Sequence, residues 1–142
     1  FNAGQLTAGM YKSADGKFFI EYVPSIIAAN GQESLTPARV GVDSGIIQVS
    51  QKKFMKMTVP MRMAILLHEY SHFHLNDNMA DEVEADLNGL LIYLGLGYPR
   101  IEAYEAFLQT FITVPNEQNK ERYNIINKFI EDFESNKFLI YE

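Results

Sequence analysis

Polar and apolar positions along this chain follow two different periods. Up to about residue 57 apolar residues come in short β-branched and aromatic runs separated by turn chemistry, and from Thr58 onward they recur every three or four residues, the period of an α-helix. In the first part, Met10 to Lys12 and Lys17 to Val23 flank Ser13-Ala14-Asp15-Gly16, whose Asp-Gly pair suits a tight hairpin. Ser25 to Ala29, ended by Asn30-Gly31, reads as a further strand, and a polar loop runs from Gln32 to Pro37. Pro37 to Asp43 carries no pattern that assigns it. Ser44-Gly45 then opens Ile46 to Ser50, a β-branched run with the look of a strand.

In the second part Thr58 can cap a helix through its hydroxyl, with Pro60 in the first turn where a missing N–H costs nothing; this predicts a helix from about Val59 to His74. Its centre, Met63 to Leu67, is apolar nearly all round, as expected of a helix buried through the middle of a domain. A second helix follows Asn76-Asp77-Asn78, with Asn78 as cap, a stripe of Val83, Leu87, Leu90, Leu91 and Leu94, and Gly95 and Gly97 as its stop. A third starts at Pro99 with Ile101, Tyr104, Phe107, Leu108 and Phe111 on one face and closes at Pro115. The last, after Asn116, carries Tyr123, Ile126, Phe129, Ile130 and Phe133. Both read as packing helices. The expectation is one α+β domain over residues 1–142, strand-rich over 1–57 and helical over 58–142, with a small, mostly antiparallel N-terminal sheet.

Composition narrows the function. The 142 residues are 47% hydrophobic and 21% charged, the balance of an ordinary globular domain. Twelve Lys and Arg against 18 Asp and Glu give a net charge of -6 with no basic run, which argues against nucleic-acid binding. No stretch approaches the roughly 20 apolar residues of a membrane-spanning helix, so membrane insertion is not expected. Zero cysteines exclude disulfides, a thiol nucleophile and thiolate metal ligands, so a metal would have to be held by His and carboxylates. The chain begins at Phe1 without a charged-then-apolar leader, suggesting a processed or trimmed product, with the cytoplasm as default compartment. Oligomeric state is not written in the pattern.

One pentapeptide carries most of the chemistry. His68-Glu69-Tyr70-Ser71-His72 matches H-E-x-x-H inside the buried helix. Four residues apart, His68 and His72 sit on one face and can bind one ion; Glu69, about 100° round the helix, can reach a metal-activated water without being a ligand. Two imidazoles and a glutamate are costly to bury without a cation. A catalytic zinc site needs a third ligand. The extended scheme with a Gly and a third His fails, since position 75 is Leu and position 78 is Asn. Downstream, Glu82 and Asp86 are four apart on one helical face that Gly89 continues.

With these paired motifs, the stretch from about Gly45 to Gly97 resembles the gluzincins, metallopeptidases with H-E-x-x-H on one helix and E-x-x-x-D on the next. Glu82-Val83-Glu84-Ala85-Asp86 is similar to the E-x-E-A-D form of membrane-associated CAAX-processing and heat-shock peptidases, although this chain lacks their transmembrane helices; the small minigluzincins match its size better. The resemblance implies a zincin-like fold and a peptide or protein substrate. It also implies a zinc ion held by His68, His72 and Glu82, Glu69 as base, and Asp86 fixing an imidazole by its second nitrogen. It places an edge strand beside the cleft, and Ile46 to Ser50 is the candidate, with an interior position as the alternative.

Rival ligands are weighed on geometry. Glu84 is about 200° from Glu82, so both cannot face one ion, while Asp81 remains the main competitor. His74 points to another side and reads as a helix-end histidine answering the dipole. Gly89 suits a close approach of the two motif helices. Tyr70, Tyr93, Tyr98 and Tyr104 are all open as oxyanion-stabilising groups. Two other readings stand beside the peptidase. One is a catalytically silent zincin-like scaffold with a regulatory or assembly role, its cleft covered by the N-terminal residues. The other is a site filled by manganese or iron.

Overall fold

The computed structural model describes residues 5–7 and 9–140, which form an α+β arrangement. Strands β1 (Gln5–Thr7), β2 (Met10–Lys12), β3 (Phe19–Val23), β4 (Ala38–Val40) and β5 (Ile47–Ser50) make one sheet in the order β1-β2-β3-β5-β4. The expected hairpin is present: β2 and β3 pair antiparallel with Tyr11 opposite Ile20, and Gly16 takes the positive φ of 71° that the tight turn demands. β5 runs parallel to β3 and antiparallel to β4, so the sheet is mixed, with three of its four pairings antiparallel.

Two strand expectations are corrected. Ser25 to Ala29 is not a strand: Gly31 N–H donates to Ala28 at 2.9 Å and Ala28 N–H to Gln32 at 2.8 Å, so local turn bonds replace a ladder and leave only the bridge between Ile27 and Glu33. The second concerns the edge. β5 lies between β3 and β4, and the unassigned stretch supplies β4 as the edge strand. Three residues are too few to show a period, and Pro37 hides the start of the run.

Five helices follow: α1 (Gln51–Phe54), α2 (Val59–His74), α3 (Glu82–Gly95), α4 (Arg100–Thr113) and α5 (Glu117–Ile140). α2 begins where its signals put it, with the Thr58 hydroxyl accepting from Met61 N–H at 3.3 Å. From Pro60 to His74 none of its residues is exposed, as its all-round apolar pattern requires. One core cluster lies between α2 and the other three long helices, around Leu90, Tyr93, Ala103, Ile126 and Ile130. A second joins α2 and α1 to the sheet through Ile20, Ile47, Val49 and Phe54. α2 is therefore the shared wall of both clusters.

The stripes differ from their sequence expectation on two helices. α3 buries Ala85, Asp86, Gly89, Leu90, Tyr93 and Leu94 and leaves Leu91 exposed, because the face against α2 is the one carrying glycine and carboxylates rather than the greasiest one. α4 buries Ala103, Ala106 and Phe107, while Ile101 and Leu108 face outward; small alanines let it approach α2. The α5 stripe is as expected, with Ile126 and Ile130 fully buried. The cap of α3 is Asp81 rather than Asn78: its carboxylate accepts from Glu84 N–H at 3.0 Å.

Candidate metal centre

Two neighbouring helices bring the motif residues together. His68 and His72 project from one face of α2, one turn apart, with their Nε2 atoms 3.1 Å from each other. Glu82, in the first turn of α3, places Oε2 3.2 Å from His68 Nε2 and Oε1 3.3 Å from His72 Nε2. Three donor atoms thus converge on one point, and this His68-His72-Glu82 group can hold a metal ion. Ligand atoms at ~2.1 Å from a tetrahedral ion lie ~3.4 Å apart, close to the separations seen here.

Convergence requires the two helix backbones to be near each other, and Gly89 makes that approach. A Cβ added there would lie 2.9 Å from His68 N and 3.0 Å from the Leu67 carbonyl carbon, atoms of the α2 backbone itself. Glu82, Asp86 and Gly89 share the α3 face that meets this backbone.

Each imidazole is held from behind. His72 Nδ1 lies 2.7 Å from the Met79 carbonyl, to which it donates, and this leaves the Nε2 lone pair toward the centre. His68 Nδ1 is 2.8 Å from Asp86 Oδ1, a close but poorly aligned contact. The loop that presents Met79 is ordered by Glu84, whose carboxylate accepts the N–H groups of Asp77 at 3.1 Å and Asn78 at 2.9 Å. Asn76 adds bonds from its amide to the carbonyls of Asn78 and Asp81. The rivals for the third ligand are therefore occupied: Asp81 caps α3 and Glu84 holds the loop.

Arg122, on α5, is the residue that sequence reasoning missed. Its guanidinium takes the Asp86 carboxylate in two bonds of 2.8 and 2.9 Å, approaches Glu82 Oε2 at 3.3 Å and donates to Asn119 at 3.0 Å. A signal existed: Arg122 lies four residues before Ile126, on the buried stripe, where a charge needs a partner. Asp86, 1% exposed, is that partner.

The electrostatics favour a cation. Burial disfavours the protonated imidazole of His68, yet Asp86 and Glu82 outweigh it and push the group up to about 10. His72 is raised chiefly by its bond to Glu82. Bonds to His68 and His72 hold the Glu82 carboxyl well below its usual range, whereas burial pushes the Glu69 carboxyl up against the opposing pull of the two imidazoles. Glu69 Oε1 stays 3.9 Å from His68 Nε2, beside the donor atoms rather than among them.

The centre opens into a cleft of about 450 Å³. Its wall includes β4 from Ala38 to Val40, together with Glu69, Phe107 and Arg122. Pro37 and Gly41 bond to Ser50 and Ile46 of the β5 side, so by alternation Arg39 bonds to Gln48 and the backbone groups of Ala38 and Val40 point to the open edge. None of the four candidate tyrosines lines this cleft. Tyr93 is buried and donates to the Pro99 carbonyl at 2.6 Å, Tyr98 stacks on it, and Tyr104 packs against the helical core. Tyr70 stacks on His74 with ring centroids 4.5 Å apart, away from the convergence point. No protein-family model, curated protein or solved structure matches the chain.

Proposed function

We propose that this protein is a zinc-dependent peptidase with a zincin-like, gluzincin-type centre. The observation that carries the reading is the convergence of His68, His72 and Glu82 on one point with the Glu69 carboxylate beside it, at the wall of an open cleft. Two imidazoles and one carboxylate at these separations suit zinc, which when bound acidifies a water and polarises a carbonyl. The chain's own groups do the rest. Met79 and Asp86 fix the two imidazoles, and Arg122 holds Asp86 and stands against Glu82. Among the described residues Glu69 is the carboxylate beside the convergence point that neither ligates, caps nor is held by Arg122, and it takes a proton from the attacking water and passes it to the leaving amine. Its burial raises its proton affinity above that of an ordinary carboxylate, the direction a general base needs.

The free edge of β4 offers backbone groups for an extended peptide, which would be held with little side-chain preference. This edge, and not the strand Ile46 to Ser50, takes the substrate-pairing role in the proposal. Among the described residues nothing closes the cleft, and the Glu82 side chain is 39% exposed, which favours turnover over the silent scaffold. The test is metal analysis of the purified protein with a peptide-library cleavage assay on wild type and Glu69→Gln. Cleavage by the wild type alone supports the peptidase. Equal inactivity of both with zinc bound would return the scaffold reading.

A further inference from the structure

The cleft does not end at the metal centre. A second lobe of about 300 Å³ continues it along the N-terminal end of β4, sharing Thr36, Pro37, Ile65, Ala106 and Thr110 as common walls. The lobe's own lining mixes apolar Leu35, Met57 and Val114 with polar Gln109 and Thr113, and its charged members are Lys53 and Lys56. No carboxylate lines it among the described residues, in a chain whose net charge is -6. Glu33 lies behind the lysines, 3.1 Å from Lys52 and 3.9 Å from Lys53. One carboxylate faces three ammonium groups there, and Lys56 makes no ion pair within 4.0 Å among the described residues. Lys53 is held with its side chain 29% exposed, so its stem packs while its head stays near the lobe.

From this we infer that the Lys53–Lys56 lobe is a subsite for a carboxylate of the peptide substrate, which makes acidic peptides the preferred class. The inference rests on the peptidase reading above. An extended peptide advances ~3.3 Å per residue, so a chain lying along the β4 edge with its scissile bond beside Glu69 reaches Thr36 and Pro37 within a few residues. The carboxylate can be that of an internal Asp or Glu or that of the peptide's own C-terminus, since both present the same anion. The main cleft mixes Arg39 and Arg122 with Glu69 and Glu82, whereas the lobe, among the described residues, presents cationic groups without a carboxylate, so it is the part of the groove that attracts such an anion most.

The experiment uses the zinc-loaded full chain and two peptide libraries, one C-terminally amidated and one with free carboxyl ends. Cleavage products should show Asp and Glu enriched at one fixed position on one side of the scissile bond. Enrichment in the amidated library assigns the lobe to a side chain; a preference confined to free-acid peptides ending at that distance assigns it to the terminal carboxylate. In Lys53→Met/Lys56→Met the ratio of kcat/KM for acidic over neutral peptides should fall about tenfold, the effect of two partly solvated charge contacts. Lys53→Glu/Lys56→Glu should invert the preference toward basic peptides. The wild-type ratio should also shrink as salt rises. No acidic enrichment in either library, or a ratio unchanged in the double variants with unaltered melting temperature, overturns the inference. If the wild type cleaves nothing, the peptidase reading fails separately. Fluorescence anisotropy of labelled acidic and neutral peptides on the zinc-loaded protein then decides the lobe, with equal binding overturning it.

Discussion

Gly89→Ala tests the idea that one missing methyl group sets the geometry of the metal centre. The added Cβ would meet His68 N at 2.9 Å, the Leu67 carbonyl carbon at 3.0 Å and its oxygen at 3.1 Å. These are backbone atoms of α2, with no flexible side chain to turn aside, so relief to an ordinary ~3.5 Å contact requires α2 and α3 to part by about half an ångström. Overpacking of this kind costs about 1–3 kcal/mol, offset by about 1 kcal/mol from replacing Gly with Ala inside a helix. The net loss of up to about 2 kcal/mol corresponds to a melting temperature lower by up to roughly 7 °C for a chain of this size. Zinc affinity should fall more steeply, because Glu82 rides on α3 while both imidazoles ride on α2, and ligand geometry tolerates only about 0.5 Å. Chelator competition and thermal melting measure the two effects. Gly95→Ala in the same helix is the control: its Cβ meets nothing within 4 Å, so it should be neutral or stabilising. If Gly89→Ala melts like Gly95→Ala and binds zinc like the wild type, close helix approach is not what assembles the site.

Replacing His68, His72 or Glu82 with Ala should abolish tight zinc binding, measured by metal analysis after dialysis, whereas Asp81→Ala should retain the metal and lose about 1 kcal/mol of stability with its cap. Glu84→Ala should keep the ligands but loosen the loop carrying Met79, reducing zinc affinity by about tenfold, in the range for groups that orient a ligand. Asp86→Ala strands the Arg122 guanidinium and should cost about 3 kcal/mol or more in denaturant titrations, with Asp86→Ala/Arg122→Met recovering part of that loss. Glu69→Gln should bind stoichiometric zinc and melt like the wild type but hydrolyse peptides at least about 100-fold more slowly; equal rates would mean that another group is the base.

How far the sequence reaches depends on whether a feature is local. α2 was legible to the residue because cap, first-turn proline and H-E-x-x-H all lie within one helix. The pairing of Glu82 with Asp86 was legible from helical spacing, and the glycine three residues on from Asp86 could be read as a contact point. β4 was not, because a strand of three residues becomes one only through β5, and nothing in Ala38-Arg39-Val40 says which neighbour lies beside it. The buried faces of α3 and α4 were misplaced for a related reason. Close packing selects small residues such as Ala85, Ala103 and Ala106, which a search for large apolar side chains passes over.

Arg122 shows why the centre takes the form it has. Glu69, Glu82 and Asp86 crowd within one cleft wall and its backing, and three carboxylates at such distances repel strongly where water is scarce. The guanidinium offsets one of them, and with neutral imidazoles two net negative charges remain. Protons on His68 and His72 can supply that balance, as the raised proton affinity of both imidazoles indicates. A divalent ion at His68, His72 and Glu82 would supply the same two charges while satisfying three donor atoms at once, so under the proposed function metal and protons would compete for one electrostatic vacancy. Arg122 sets the size of that vacancy at two. With a neutral residue in its place the deficit grows by one, and a single divalent ion no longer closes it.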